Sequence, residues 1–142
     1  MSKLFIDSNI LVYAMDKHDL KKGKHCRKIL RDLNTGETSG VLSTQVLQEF
    51  YVVSTKKLSI EPLLVKNILH TFENFEVVVV TVALIKEAID TSILYKITFW
   101  DALIIVSAES AKCEKVLTED LNHGQIIRGV RVENPFEILK KP

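Results

Sequence analysis

The stretch Lys3-Leu4-Phe5-Ile6-Asp7-Ser8-Asn9 decides the fold. A short apolar run ends at a carboxylate and two small polar residues, which reads as a strand whose carboxyl end delivers Asp7 into a helix start. Ile10 to Met15 continues as helix. From Lys21 to Leu33 the apolar residues Cys26, Ile29, Leu30 and Leu33 fall at helical spacing, and Lys21, Lys24, Lys28 and Arg31 take the opposite side. That segment is an amphipathic helix with a basic outer face. Thr38 to Leu42 predicts a second strand, with Ser43 or Thr44 capping a helix over about Gln45 to Lys57. This helix packs through Val46, Leu47, Phe50 and Val53, and Glu49 lies on the flank of the stripe.

Pro62 marks the start of a helix running through Leu63 to Phe72, and the β-branched run Phe75 to Val80 reads as a buried strand. A helix follows over about Leu84 to Tyr95. Thr98 caps a strongly apolar helix with Asp101 in its first turn. Lys115 to Thr118 is a strand ending at Glu119-Asp120, and Val130 to Glu133 is the last strand, closing before Pro135. Strands alternating with helices predict an α/β fold: one domain over residues 1–142, its mostly parallel sheet flanked by helices on both faces. Ligands in such folds sit beyond the carboxyl ends of the strands.

Composition excludes several classes. The 142 residues are 46% hydrophobic and 26% charged, with five glycines and three prolines, the balance of an ordinary globular domain. The longest apolar stretch, Val77 to Ile85, is interrupted by Thr81, whereas a membrane span needs about 20 residues. Asp7 and Asn9 interrupt the amino end before a signal-peptide core could form, so a cytoplasmic location is expected. Cys26 and Cys113 make no CxxC pair and read as free buried thiols. Net charge is only +1, but Lys17 to Arg31 carries seven cations against Asp19, leaving the remainder at −5.

Four carboxylates stand where strands end or where helices begin or pack: Asp7, Glu49, Asp101 and Asp120. Each also has a structural role open to it. Asp7 could cap the first helix, Asp101 could belong to a capping box with Thr98, Glu49 could snorkel, and Asp120 could serve a polar turn. Together they read differently, because a parallel sheet can bring all four to one end. Two carboxylates about 5 Å apart repel by roughly 3 kcal/mol at an effective dielectric of about 20. A cluster of four therefore calls for a cation or shared protons. Neither Asp7 nor Asp101 has a close sequence neighbour of opposite charge, and a divalent metal is the simplest compensation.

Ligand type selects the metal. His18, His25, His70 and His123 form no zinc pattern, whereas an all-oxygen set suits Mg²⁺ or Mn²⁺ and points to phosphate chemistry. The glycines make neither GxGxxG nor GxxxxGK, and Gly36-Glu37-Thr38-Ser39-Gly40 misses the GxSxG elbow by one place.

The run Phe5-Ile-Asp7-Ser-Asn9-Ile-Leu-Val-Tyr13-Ala, the segment Thr44-Gln-Val-Leu-Gln-Glu49-Phe-Tyr, the segment Phe99-Trp-Asp101-Ala-Leu-Ile-Ile and Thr118-Glu-Asp120-Leu together resemble the ordered motifs of PIN-domain proteins, in the VapC-like toxin ribonuclease branch. The resemblance extends from Phe5 to about Phe136, with Asn134-Pro-Phe136 fitting the end of the domain. It implies a Rossmann-like sheet, a Mg²⁺- or Mn²⁺-dependent endoribonuclease, a small antitoxin occupying the acidic groove, and a homodimer. Asp7, Glu49, Asp101 and Asp120 match the family's acidic positions, and Asn9 and Thr118 match the polar residues that support them. Glu119 is the alternative source of the fourth carboxylate.

RNA must be gripped outside an acidic pocket. Lys21, Lys24, Lys28 and Arg31 are the candidates, holding backbone rather than reading bases, against the alternative of a solvated helix face. Trp100 and Phe99 could stack on bases, but beside an apolar helix they are expected in the core. Two other functions fit a clustered acid site. A phospho-receiver domain is disfavoured because Ser8 and Asn9, not a second acid, follow Asp7; a catalytically silent RNA- or protein-binding module remains.

Overall fold

The computed structural model describes residues 2–33 and 35–140. Strands β1 (Lys3–Ile6), β2 (Ser39–Ser43), β3 (Glu76–Val78), β4 (Lys115–Leu117), β5 (Ile126–Ile127) and β6 (Val130–Glu133) form one sheet in the order β3-β2-β1-β4-β6-β5. All neighbours are parallel except the β5–β6 pair. The helices are α1 (Ser8–Met15), α2 (Leu20–Leu33), α3 (Thr44–Lys56), α4 (Pro62–Phe72), α5 (Val82–Tyr95) and α6 (Phe99–Ser110), with a 3₁₀ turn at Glu137–Lys140. The expected α/β architecture with a mostly parallel central sheet is the observed one.

The core forms where the strands are fully apolar. Phe5, Ile6, Val41, Leu42, Val116 and Leu117 are all buried, as expected for strands covered on both faces. Helix α6 is buried without interruption from Ala102 to Ala108, which explains why its composition shows so little amphipathicity. Cys26 and Cys113 are free and buried, and burial pushes both thiols up to about 12.

Three boundaries depart from the sequence reading. The run Phe75 to Val80 contributes only Glu76–Val78 to the sheet, as an edge strand with Val79 exposed rather than buried. Its ladder ends because the backbone N–H of Val80 donates instead to the Thr44 hydroxyl at 3.1 Å. Ile126–Ile127 adds an antiparallel edge strand that two residues are too few to announce. Trp100 is 60% exposed, and Phe99 is partly buried against α5 and α6. The aromatic pair is thus split, one ring inside and one out.

The chain runs outward from β1 through β2 to β3, then returns to place β4 on the other side of β1. The order therefore reverses between β1 and β4, and a crevice opens beyond their carboxyl ends. Asp7 leaves β1 at that point, and Thr118 leaves β4.

Candidate active site

Asp7 follows β1 and occupies the N-cap position of α1, so its side chain is fixed by the strand end and the helix start together. Its Oδ1 accepts from the Ser8 backbone N–H at 2.7 Å and its Oδ2 from the Thr118 hydroxyl at 2.8 Å. Only 4% of the residue is exposed. Burial raises its carboxyl to about 7, against the lowering effect of those two hydrogen bonds, and the charges of Asp120 and Glu49 add to the rise. Among the described residues, no basic side chain contributes to balancing it.

Hydrogen bonds extend from Asp7 in two directions. On one side, Asn9 Nδ2 donates to Thr118 Oγ1 at 3.2 Å and to Asp120 Oδ2 at 3.1 Å. The Asp120 backbone N–H donates to the same Thr118 hydroxyl. On the other, the Ser8 hydroxyl donates to Glu49 Oε1 at 3.1 Å. Gln45 Nε2 then reaches both Glu49 Oε2 at 3.5 Å and the Trp100 carbonyl at 3.2 Å. One connected chain of polar groups thus runs Asp120–Asn9–Thr118–Asp7–Ser8–Glu49–Gln45 and ends on the residue before Asp101.

Local sequence accounts for each placement. Ser43 caps α3 through the Val46 N–H, which puts half-buried Glu49 a turn and a half in, facing Ser8. Thr98 caps α6 by accepting from the Asp101 N–H, so Asp101 is presented from the first turn. Burial raises the Glu49 and Asp101 carboxyls above their usual range. The charge of Asp120 adds to both rises, and that of Asp101 adds to the Glu49 one. Asp120 acts electrostatically on Asp7, Glu49 and Asp101, and Glu49 also on Asp7, so the four predicted acids face one crevice, with Asn9 and Thr118 between Asp7 and Asp120.

Glu119 faces elsewhere. Lys22 donates to its Oε2 at 2.7 Å and the Tyr13 hydroxyl to its Oε1 at 2.7 Å. Burial alone would raise Glu119, but these two donors outweigh it and hold the carboxyl below its usual range. The Lys22 ammonium also lies over the Tyr13 and Phe136 rings, at 4.9 and 4.8 Å from their centroids. Sequence reading missed Ser8, Gln45 and Lys22. The position of Ser8 between Asp7 and Asn9 was the available signal for the first; the other two depend on contacts across the fold.

The donor set of carboxylates, hydroxyls and amides is all oxygen where it is not a hydrogen-bond donor, which fits a hard divalent cation rather than zinc. The uncompensated buried Asp7 fits the same ion by charge. Among the described residues, no three His, Cys, Asp or Glu side chains are grouped tightly enough to hold an ion as they stand.

The predicted basic residues Lys21, Lys24, Lys28 and Arg31 are all exposed on α2. Lys21 lines a cleft of about 500 Å³ with Lys22, Glu119, Phe136 and Lys140, beside the loop that carries Asp120. Arg31 lies ten residues further along, about 15 Å at the helical rise.

The fold and site define an α/β domain with an acidic crevice at the topological switch point of its sheet. The PIN domain family model matches residues 4–128, and the chain belongs to the PIN domain family. No curated protein sequence matches it. Among solved structures it is similar to a toxin–antitoxin complex from Klebsiella pneumoniae, at 19% identity and TM-score 0.68, covering 94% of this chain and 98% of that one. It is also similar to VapC20 of Mycobacterium tuberculosis, described as a sarcin–ricin loop cleaving toxin, at 14% identity and TM-score 0.69, covering 90% and 98%. A DNA-bound VapBC from Salmonella typhimurium gives 19% identity and TM-score 0.68, covering 95% and 99%.

Proposed function

We propose that this PIN domain is a metal-dependent endoribonuclease that hydrolyses RNA phosphodiester bonds, acting as the toxin of a toxin–antitoxin pair. The observation that carries the reading is the buried, cation-free Asp7, tied through Thr118, Asn9 and Ser8 to Asp120 and Glu49. Ionising a buried carboxylate without a paired cation is expensive, and a divalent ion in the crevice would supply the compensating charge. Family membership and the fold shared with VapC toxins support the same reading.

Asp7, Asp101 and Asp120 are the residues that would hold Mg²⁺ or Mn²⁺, and Glu49 would hold metal or orient the attacking water. A divalent ion there supplies polarisation of the phosphoryl oxygens and a lowered pKa for a bound water. The rest is the work of the chain. Thr118 and Asn9 fix one oxygen each of Asp7 and Asp120, and Ser8 and Gln45 hold the two oxygens of Glu49. Lys21, Lys24, Lys28 and Arg31 offer positive charge to the RNA backbone.

The partners in this reading are RNA, a small antitoxin and a second copy of the chain, in the cytoplasm. Exposed Val82, Ile85, Ile89 and Ile93 recur at helical spacing along α5, an apolar stripe of the kind helices bury against one another. Among the described residues no helix is long and apolar enough to cross a membrane.

A catalytically silent binding module is the second reading, favoured by the open spacing of the acids. Cleavage of single-stranded RNA with Mg²⁺ or Mn²⁺ by wild type, but not by a folded Asp7→Asn variant, supports the nuclease. Equal cleavage by both, or no metal binding at millimolar concentration, overturns it.

A further inference from the structure

Trp100 is the single tryptophan of the chain, and its side chain lies mostly in water although its neighbours on α6 form the core. An exposed indole is an uncommon use of the largest apolar side chain. It stands one position before Asp101 and edge-on to Phe99, with ring centroids 5.1 Å apart. Trp100 lines a groove of about 390 Å³. Val52 of α3 also lines the groove, along with the amide side chains of Gln45 and Gln48.

Two further lining residues, Ser8 and Glu49, belong to the acidic site. The groove is therefore continuous with the crevice rather than a separate surface. Gln45 fixes the junction, since its one amide nitrogen contacts both the Glu49 carboxylate and the Trp100 carbonyl. No Lys or Arg lines the groove, so it has nothing to offer a phosphate. What it presents is an indole, aliphatic Val52 and Val53, and the exposed Gln48 amide, able to donate and accept. Those are the features of a planar, neutral, polar-edged occupant.

A phosphodiester held at the acids carries a base on each side within one nucleotide's reach. We propose that this groove is a nucleobase subsite, in which a base flanking the scissile phosphate stacks on Trp100 with its edge toward Gln48. The proposal rests on the ribonuclease reading and adds to it the residue that holds the substrate's base. Stacking of this kind tolerates any base, because each has a π-face. Trp100 therefore serves grip and register, and sequence preference is left to Gln48.

The test uses the full chain carrying Asp7→Asn, to stop cleavage, and an end-labelled single-stranded oligoribonucleotide. Anisotropy of the label reports RNA binding, and the emission of the sole tryptophan reports stacking. The expected result is quenching with the same midpoint as the anisotropy rise. Trp100→Ala on the same background weakens binding about tenfold, and Trp100→Phe restores most of it. Melting temperature checks the fold of both variants, which the exposure of the indole should leave intact. RNA binding with unchanged emission, or undiminished binding by Trp100→Ala, overturns the subsite and leaves the ribonuclease reading standing. Absence of RNA binding by either signal overturns both. Quenching by an amphipathic peptide or by self-association, with none by RNA, gives the groove to a protein partner and overturns the subsite.

Discussion

The Thr118 hydroxyl donates to Asp7 Oδ2 at 2.8 Å, joining the carboxyl ends of β1 and β4 across 111 positions of sequence. That bond lowers the Asp7 carboxyl but does not overcome burial, which leaves it at about 7 instead of the ordinary 3.8. The consequence for stability has a definite sign. Below about pH 4 the folded and unfolded chains both carry the proton. Between about 4 and 7 the unfolded chain releases it while the folded one retains it, so stability falls as pH rises. The full difference corresponds to about 4 kcal/mol at about 1.36 kcal/mol per pH unit. Glu49 and Asp101 shift in the same direction and add to the slope, whereas Glu119 opposes it. Metal-free protein should therefore melt at a higher temperature at pH 5 than at pH 8, and Asp7→Asn should shrink that difference. Identical pH dependence in wild type and variant would contradict the assignment.

Asp101 offers a second test of the same electrostatics. Its backbone N–H donates to Thr98 Oγ1, and its carboxylate is in turn hydrogen-bonded to Thr98, a partner that an Asn amide can keep. Asp101→Asn keeps the cap while removing a charge that Asp120 repels. The metal-free variant should melt above wild type and lose cleavage, a gain in stability at the expense of activity. A marked drop in melting temperature would instead mean that the carboxylate itself stabilises the first turn of α6.

The order of elements was legible because strand and helix periods alternate from Lys3 to Val132; Asp7, Asp101 and Asp120 stood out as acids at element ends, and Glu49, in the body of α3, as an acid on the flank of its apolar stripe. What escaped has a common cause. Trp100 looks like core by composition, and its exposure follows from its place in the first turn of α6, before the continuously buried stretch Ala102 to Ala108 begins. The run Phe75 to Val80 has full strand character, yet its place at the sheet edge shortens it. Gln45 and Lys22 matter through partners 55 and 97 positions away, and local periodicity carries no record of either.

Divalent metal should stabilise this protein more than its titration alone suggests, because the ion binds the folded crevice and has no comparable site in the unfolded chain. At about 100 times the dissociation constant, linkage gives about 2.7 kcal/mol. Melting temperature should rise with Mn²⁺ or Mg²⁺ and fall back on chelation. The rise should be absent in Asp7→Asn. A shift of equal size in wild type and variant would place the ion elsewhere on the surface.

Glu119 and Asp120 are adjacent in sequence but engaged with different partners, and that difference decides which one belongs to the site. The Lys22 ammonium and the Tyr13 hydroxyl occupy both Glu119 oxygens. A metal would have to displace a cation already 2.7 Å from the carboxylate. Asp120 is exposed, takes one hydrogen bond from Asn9, and repels Asp7, Glu49 and Asp101. Asp120→Asn should therefore remove most metal-dependent cleavage. Glu119→Gln should keep it within a few-fold, because the amide oxygen still accepts from Lys22 or Tyr13. Asn9→Ala should fall between the two, since losing a residue that orients a ligand typically costs about 10- to 100-fold. Single-turnover rates on one RNA at saturating Mn²⁺, with melting temperatures to confirm folding, order the three variants. If Glu119→Gln were the most damaged, the Lys22 pair would be a gate over the true ligand, and the fourth carboxylate would have to be reassigned to Glu119.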